Sequence, residues 1–218
     1  MKWYEEFGEQ VRLEVPLAAF TWFGLGGPAK YFVTPRDIPQ LQVICARLAE
    51  NDVPLFVLGS GANLLVNDQG VNGAVVSLSA AAFKQVAMEN TTVTAGAGKD
   101  LQKLVLECTH AGLSGLECLA GIPGSVGGEI KMNAGGAFGD IGSAVQTVTV
   151  MDTNGSVYVR EKDDLVFEYR RSNITARFIL GATFTLAEDD PQRIMNKVKE
   201  IWMYKKNSQP LADKSAGC

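Results

Sequence analysis

The sequence has 218 residues, of which 46% are hydrophobic and 20% are charged, with a formal net charge of -4 and a calculated pI near 5.1. A chain of this length and apolar content can bury a full core, either in one large domain or in two smaller lobes. Its negative net charge supplies no basic field for nucleic acid or anionic lipid, so we expect neither as a partner.

The N-terminus carries acidic residues where a secretory signal has a basic and then an apolar region, and no apolar run reaches the roughly 20 residues of a membrane span. We therefore expect a cytoplasmic protein. The four cysteines and the single histidine, His110, do not have the spacing of metal ligands. We expect no metal site and cysteines that stay reduced.

Apolar residues recur at helical spacing in three segments, each preceded by an aspartate. Asp37 begins the first segment, with Gln40 at capping-box spacing. Asp100 begins the second. Asp190 begins the third, and Pro191 suits its first helical position. The three segments are predicted to be helices.

Strand patterns fill the intervals between these helices. The clearest are apolar and β-branched runs at residues 30–35, 54–59, 73–78 and 91–96. Two further runs, 146–151 and 156–160, flank a turn sequence in which Asn154 and Gly155 suit a two-residue turn with positive φ, so a hairpin is predicted. A last strand is predicted within residues 177–187. Strands and helices mixed without a repeat predict an α+β or mixed α/β architecture.

Glycines cluster in three loops, the first of which covers residues 21–32. Gly24 and Gly26 stand in a nominal G-x-G-x-x-A arrangement. Pro28 and the strand-like residues after it are incompatible with the helix that a dinucleotide-binding fingerprint requires. This loop is therefore predicted to be a structural turn.

The second glycine loop follows a predicted strand, a usual position for ligand-binding loops. Small residues there let backbone N–H groups approach phosphate oxygens. The sixth residue of this loop is a leucine, where a Rossmann loop has glycine or alanine, and no acidic residue follows about 20 positions later to bind a ribose. Both features disfavour a Rossmann site. By itself the loop leaves phosphate binding and a plain turn equally open. The candidate phosphate-binding residues are Gly59, Ser60, Gly61, Ala62, Asn63 and Leu64.

The third glycine loop, residues 119–140, interleaves seven glycines with apolar residues and is too apolar for a flexible linker. Gly121, Gly124, Gly127 and Gly128 indicate a backbone packed closely against a flat or anionic ligand. Ser125 suits the cap of a short helix whose N–H groups would face a diphosphate. The second and third loops together predict a nucleotide cofactor, and the absence of a G-x-x-x-x-G-K-[ST] sequence argues against an ATP-hydrolysing P-loop.

Four segments, VLGSGANLL, AGIPGSVGGEIKMNAGGAFG, FEYRRS and the closing SAGC, resemble the UDP-N-acetylenolpyruvoylglucosamine reductase family in order and spacing. The resemblance covers nearly the whole chain, and the apolar glycine loop is its most specific part. It implies the vanillyl-alcohol-oxidase-type (PCMH-type) FAD-binding fold, in which two α+β lobes clasp the flavin. We expect lobe 1 at residues 1–82, lobe 2 at 83–189, and a helix leading into a substrate domain at 190–218.

The resemblance also implies a reaction. NADPH would reduce non-covalently bound FAD, and the flavin would reduce an enolpyruvyl ether of UDP-N-acetylglucosamine to UDP-N-acetylmuramate, a precursor of peptidoglycan. We expect a monomer. The implied FAD contacts are mainly from the backbone, at residues 59–64 and at Gly121, Ile122, Gly124, Ser125 and Gly127.

Arg170 matches the family arginine beside the enolate-like charge, where a planar set of donors suits a carboxylate. Tyr169 would line the same substrate pocket. Cys218 stands where the family has its acid, a serine or a cysteine, and a thiol can donate the proton. Without the resemblance, the Tyr-Arg-Arg run is typical of a solvated loop and the terminal cysteine of a disordered thiol.

The family continues beyond the position of Cys218 into a substrate domain that carries an assisting glutamate. We therefore expect that domain to be mostly missing here and turnover to be nearly lost, while FAD binding is kept. Glu117 and Glu129 do not match the position of that glutamate. Two alternatives stay open: another flavin oxidase of the same fold, although His110 does not resemble a covalent attachment site, and an FAD-binding module without turnover.

Overall fold

The structure is a computed structural model that describes residues 2–209 and residue 214. The first half of the chain forms a four-stranded sheet of order β1-β2-β4-β3, in which β1 is antiparallel to β2 and the other neighbours are parallel. Helix α1, Ile38–Glu50, connects β2 to β3. The strands are β1 Val11–Pro16, β2 Pro28–Val33, β3 Leu55–Leu58 and β4 Val71–Ser77.

The second half forms a five-stranded antiparallel sheet of order β11-β10-β14-β6-β5 and several short strand pairs. The strands are β5 Val86–Glu89, β6 Thr92–Gly96, β7 Leu113–Ser114, β8 Gly135–Gly136, β9 Gly139–Asp140, β10 Val145–Met151, β11 Val157–Glu161, β12 Phe167–Glu168, β13 Arg171–Ser172, β14 Phe178–Thr185 and β15 Ala187–Glu188. The helices are α2 Leu101–His110, α3 Val126–Lys131 and α4 Pro191–Ser208.

The main hydrophobic core is continuous between the two halves. It includes Val33 and Ile44 from the first half and Val93, Val148 and Phe178 from the second, all of them almost fully buried. A smaller apolar cluster packs on the first sheet alone. The two halves are therefore held together by shared apolar burial, which fixes the position of the cleft between their strand ends. Within the described residues, no helix has the length and apolar character needed to cross a membrane.

The three predicted helices are confirmed, and each begins after the predicted aspartate. The side chains of Asp37, Asp100 and Asp190 accept hydrogen bonds of 2.9 Å from the backbone N–H three residues later. Gln40 Oε1 accepts from the backbone N–H of Arg36, one residue before the predicted cap, at 2.8 Å. Local sequence was sufficient here because a capped amphipathic helix depends on residues that are neighbours in the chain.

The predicted strands are also confirmed, but the predicted two-residue turn of the hairpin is wrong. Strand β10 ends at Met151 and β11 begins at Val157, and only Gly155 in the loop between them has positive φ, of 85°. The side chain of Asn154 accepts from Ser156 N at 3.0 Å, and Gln42 of α1 donates to Gly155 O at 2.8 Å. A longer loop forms because these bonds, one of them from outside the hairpin, stabilise it.

Candidate functional site

A cleft of about 830 Å³ lies between the two sheets. This volume is within the range of about 300–1,000 Å³ that is usual for small-molecule sites. One wall comes from the ends of β3 and β4, and the other from the end of β6, the start of α2, the third glycine loop with α3, and the start of β14. The lining segments are residues 56–60, 77–79, 97–100, 124–125, 127–128 and 176–177, with Lys84, Lys103, Lys131 and Ile179.

The second glycine loop begins where β3 ends and presents unpaired backbone donors. Among the described residues, no acceptor is bonded to any backbone N–H from Gly59 to Leu64. The loop is instead fixed through other atoms. Gly61 has a φ of 70°, a Cβ there would lie 1.9 Å from Phe20 O, and Gly61 O accepts from Trp22 N at 3.1 Å. Only glycine fits such a position, so the loop holds its shape while its N–H groups have no acceptor in the part of the chain that the structure describes.

Two of the six predicted residues in this loop, Gly59 and Ser60, line the cleft. The other four lie further along the loop, outside the lining. Gly61 and Ala62 are buried, and Asn63 and Leu64 are exposed.

The two predicted ligand loops meet at the cleft. A Cβ on Gly59 would lie 2.6 Å from Ser125 Oγ, so the serine hydroxyl of the third loop packs directly on the second loop. Ser125 is buried, with 8% of its surface exposed, and lines the cleft beside Gly124 and Gly127. It precedes α3 as predicted, but its side chain makes no capping hydrogen bond. The prediction of a side-chain cap is wrong because the hydroxyl is directed at Gly59 and Gly128.

The third loop uses much of its backbone for bonds within the protein. Val126 N donates to Lys99 O and Gly127 N to Ala97 O, both at 2.9 Å, and Gly124 O accepts from Leu101 N at 3.0 Å. These bonds attach the loop to the end of β6 and the start of α2. Two N–H groups at the start of α3 that were expected to face a diphosphate therefore bond to protein carbonyls.

Gly121 and Ile122, also predicted to contact a cofactor, lie outside the cleft lining. Gly121 N donates to Gln102 Oε1 at 2.7 Å, and Ile122 N donates to Leu119 O at 3.0 Å. A Cβ on Gly121 would touch Lys205 and Trp202 of α4 at 3.3–3.4 Å. In this structure the conformation of these two residues is fixed by α2 and α4.

Tyr169 and Arg170 form the tip of the hairpin β12–β13, next to the third loop. Arg170 has a φ of 56°, and its Nη1 donates to Gly135 O at 2.7 Å. Its guanidinium carbon lies 5.1 Å from the centroid of the Tyr169 ring, which is 88% exposed. Neither residue lines the cleft. Arg171 is paired with Glu168, so its guanidinium is already neutralised within the hairpin.

The hairpin is fixed to the residues around α3 by two side-chain hydrogen bonds. Ser172 Oγ donates to Lys131 O at 2.9 Å, and Asn133 Nδ2 donates to Glu168 O at 3.1 Å. The backbone that carries Arg170 is therefore held relative to the third loop by bonds on both strands. Cys218, the predicted acid, lies outside the described residues, and His110, at the end of α2, lies outside the cleft lining.

Glu129 of α3 is an acidic group beside the cleft that has an abnormal pKa. Burial raises the pKa of its carboxyl to about 7, although the charge of Arg170 acts in the opposite direction. Its Oε1 lies 1.6 Å from the position of a Cβ on Gly124, so the carboxyl packs against the Cα of that glycine. No described residue forms a hydrogen bond with the carboxyl. Sequence motifs assign Glu129 no role, and only its packing identifies it as an unusual acid.

The cleft lining also contains basic residues that sequence reasoning missed. Five cationic side chains line it, together with a single carboxylate, that of Asp100. The net charge of -4 for the whole chain conceals this local excess of positive charge. The five residues are separated in sequence, and no local pattern could have identified them. They are Lys84, Lys99, Lys103, Lys131 and Arg177.

Comparison with known proteins agrees with a nucleotide-binding cleft. A family model described as an FAD binding domain matches residues 29–159. The UDP-N-acetylenolpyruvoylglucosamine reductase of Clostridium novyi is 36% identical over 211 residues, which are 96% of this chain and 68% of that protein. The chain belongs to the UDP-N-acetylenolpyruvoylglucosamine reductase family. A second reductase of this family, from Rhodopirellula baltica, is 32% identical over 94% of this chain and 68% of its own length.

Solved structures support both the reductase family and its fold. The crystal structure of UDP-N-acetylenolpyruvylglucosamine reductase from Thermus caldophilus has a TM-score of 0.82 and 36% identity, over 95% of this chain and 74% of that one. A cholesterol oxidase variant from Brevibacterium sterolicum has a TM-score of 0.61 at 17% identity, over 82% of this chain and 37% of that one, which shows a shared fold alone. The predicted vanillyl-alcohol-oxidase-type fold and the predicted FAD-binding domain are confirmed.

Proposed function

We propose that this chain binds FAD non-covalently in the cleft. It is then the flavin-binding part of an NADPH-dependent reductase that converts UDP-N-acetylenolpyruvoylglucosamine to UDP-N-acetylmuramate for peptidoglycan synthesis. The observation that carries the proposal is the run of unbonded N–H groups from Gly59 to Leu64, which meets Ser125 at the cleft. We further propose that the protein acts in the cytoplasm as a monomer.

The residues present suit a flavin dinucleotide. A diphosphate needs several hydrogen-bond donors in a small concave space. The second loop supplies the backbone N–H groups of Gly59 and Ser60 at the cleft, and those of residues 61–64 follow just outside its lining. Flat ring systems need apolar walls, and the lining includes Phe56, Val57, Leu78 and Ile179. The cleft therefore offers donors for the phosphates and apolar surface for the rings.

We assign the remaining roles on the family resemblance. Bound FAD supplies hydride transfer. Arg170 would hold the substrate carboxylate and stabilise the enolate-like charge, because one guanidinium nitrogen bonds Gly135 O and the others have no described acceptor. Arg171 is less suited to this role because Glu168 neutralises it. Tyr169 would contact the same substrate, and Cys218 would hold the proton that the reaction consumes.

We propose lobe 1 at residues 1–82, lobe 2 at 83–189, and the passage to a substrate domain at 190–218. The first sheet ends at Ser77 and the second begins at Val86, which supports a boundary between them. The chain spans 68–70% of the length of several curated relatives, so turnover is proposed for the whole protein, not for this chain.

The first test is binding of FAD to the purified chain, measured by quenching of flavin fluorescence and by the absorption spectrum. We expect a yellow complex from which denaturant releases FAD, and anaerobic NADPH should bleach it. A folded chain without affinity for FAD would refute the proposal. Bound flavin that resists release by denaturant would refute its non-covalent part.

The second test examines the contact between the two loops. Gly59→Ala places a Cβ 2.6 Å from Ser125 Oγ, and we expect FAD affinity to fall about tenfold, or about 1.4 kcal/mol. Ser125→Ala removes the overlapping oxygen, so Gly59→Ala should have little further effect in that background. Gly136→Ala is the matched control, because no atom lies within 4 Å of its Cβ position. Equal effects of Gly59→Ala with and without Ser125 would contradict contact between the loops.

A further inference from the structure

Glu129 of α3 is a half-buried acid whose carboxyl has no hydrogen bond or ion pair with a described residue. Its backbone is fixed on both sides, because its N–H donates to Ser125 O at 3.0 Å and its carbonyl accepts from Ala134 N at 2.8 Å. The carboxyl takes the place that a Cβ on Gly124 would need, so it packs on a glycine of the cleft lining. An apolar side chain could fill that space without the cost of burying a polar group, so packing alone does not account for the acid.

Arg170 is the residue whose charge acts on this carboxyl. The arginine has a φ of 56° at the tip of the hairpin β12–β13, and the bond from Ser172 Oγ to Lys131 O holds that hairpin beside α3. Arg170 Nη1 donates to Gly135 O at 2.7 Å, and its other guanidinium nitrogens have no acceptor among the described residues. The acid and the arginine are therefore neighbours whose side chains are not bonded to each other.

The other elements packed against α3 add no competing charge in the described part of the chain. These elements are β6, β13, β14 and the turn at residues 141–143, and only β13 contains a charged residue. Arg177, just before β14, lines the cleft and is not among the charges that act on Glu129. The remaining charged groups on or next to α3 and these elements each have another partner. They are Arg171 with Glu168, Asp140 with Ser143, Lys131 with Ile174 O, and Lys99 with Glu107.

A carboxyl and a guanidinium that are close but unbonded both respond to an anion that binds between them. When the substrate carboxylate reaches Arg170, an ionised Glu129 competes with it for the same positive charge and repels it. Protonated Glu129 does neither, because it is neutral. Burial already raises the pKa of the Glu129 carboxyl to about 7, so a modest further rise is enough to protonate it near neutral pH.

We propose that Glu129 is a positioning residue for Arg170: it takes up a proton from solvent when the arginine binds the substrate carboxylate, and as an anion it attracts the guanidinium when that carboxylate is absent. The inference rests on the proposed function, because that function gives Arg170 its carboxylate. Glu129 acts through Arg170 and has no contact of its own with the substrate. It makes binding of the substrate carboxylate dependent on pH.

The test titrates the FAD-loaded chain with UDP-N-acetylenolpyruvoylglucosamine and with UDP-N-acetylglucosamine, which lacks the enolpyruvyl carboxylate. Calorimetry in two buffers of different ionisation enthalpy measures the affinity and the number of protons taken up. For the wild type we expect the carboxylate ligand to take up about half a proton or more at pH 8 and almost none at pH 5. Its preference over the second ligand should fall about threefold to tenfold from pH 6 to pH 8.

Glu129→Gln keeps the shape and cannot ionise, so this variant should lose the proton uptake and keep its preference constant within twofold over that pH range. The control Glu161→Gln removes the same charge at an exposed position on β11 and should behave like the wild type. In the chain without ligand, Arg170→Gln should move the titration of Glu129, followed by the melting temperature, to higher pH. A role limited to packing would change stability but not proton uptake.

Equal proton uptake by the wild type and Glu129→Gln, with the carboxylate ligand still preferred, overturns the inference and leaves the proposed function intact. A titration of Glu129 that Arg170→Gln does not change also overturns it. Equal binding of the two ligands, or no binding of either, to a chain that binds FAD overturns it together with the carboxylate role of Arg170. Failure of the chain to bind FAD refutes the function proposed above and the inference with it.

Discussion

The second and third glycine loops have similar compositions but opposite hydrogen bonding. From Gly59 to Leu64 no backbone N–H has an acceptor among the described residues. In the third loop, by contrast, the N–H groups of Gly121, Val126 and Gly127 all donate to protein atoms. Glycine content therefore does not reveal which donors a ligand can use. The difference follows from the neighbours of each loop, because the third loop lies against the end of β6 and its carbonyls.

The glycines of the two loops also differ in what a side chain would meet. A Cβ on Gly61 would meet backbone, at Phe20 O, whereas the three atoms nearest to a Cβ on Gly124 all belong to the Glu129 side chain. Backbone cannot move without displacing its strand or turn, but a carboxyl can change rotamer. Gly61→Ala should therefore cost more than Gly124→Ala.

The largest effect is expected from Gly61→Ala. The new Cβ would lie 1.9 Å from Phe20 O, and the φ of 70° is unfavourable for alanine. We expect a loss of more than about 3 kcal/mol in the free energy of unfolding and loss of FAD binding, measured by thermal denaturation and flavin fluorescence. Gly136→Ala, with open space at its Cβ position, should change neither. A Gly61→Ala protein as stable as the Gly136→Ala control would disprove the close contact.

The next-largest loss of stability is expected when Glu117, just before the third loop, loses its bond to Lys197 of α4. Glu117, 3% exposed, accepts from Lys197 Nζ at 2.8 Å, Ser114 Oγ at 2.7 Å and Gly115 N at 2.6 Å. Burial alone would raise the pKa of this carboxyl, but these bonds outweigh burial and lower it to about 2. Glu117→Ala should cost about 2–4 kcal/mol of stability, because buried donors lose their acceptor.

The lowered pKa of Glu117 predicts that the stability of the protein decreases in acid. A pKa lowered from 4.5 to about 2 adds stability above pH 4.5, and this stability is lost as the pH falls from 4.5 to 2. Denaturant unfolding across that range should show a smaller stability difference between wild type and Glu117→Gln at pH 2 than at pH 6. A constant difference would contradict the ion pair with Lys197.

Gly124→Ala is expected to have a moderate effect that depends on Glu129. The built Cβ lies 1.6 Å from Glu129 Oε1, so the carboxyl must move, at a cost of about 1–2 kcal/mol. In a Glu129→Ala background the same substitution should cost less than about 0.5 kcal/mol. A double-mutant cycle from denaturant unfolding measures the coupling. Additive losses would show that Gly124 is constrained by something other than Glu129.

The smallest expected effect on stability comes from the titration of Glu129. Burial raises the pKa of its carboxyl from 4.5 to about 7, so the stability from its protonated form is complete below pH 4.5 and is lost as the pH rises through 7. Glu129→Gln keeps the shape and cannot ionise. Relative to wild type, the melting temperature of this variant should therefore be higher at pH 8 than at pH 5. A difference independent of pH would contradict the raised pKa.

The amino-acid sequence by itself determined the helices, most strands and the family. Caps such as Asp37 and Asp100 act on N–H groups three residues away, and the motifs that carry the resemblance are continuous in the chain. Ser125 was found for the same reason, although its hydroxyl contacts Gly59 and does not cap the helix.

Only the tertiary structure decided which backbone donors stay free, where positive charge accumulates and which acid has an altered pKa. Lys84 and Arg177 come to the same end of the second sheet through the pairing of β5, β6 and β14, and Lys103 reaches the cleft from the start of α2. The carboxyl of Glu129, which is half-buried, packs against Gly124. Hydrogen-bond occupancy, local charge and desolvation depend on atoms distant in the chain, so they are fixed only when the two sheets pack together.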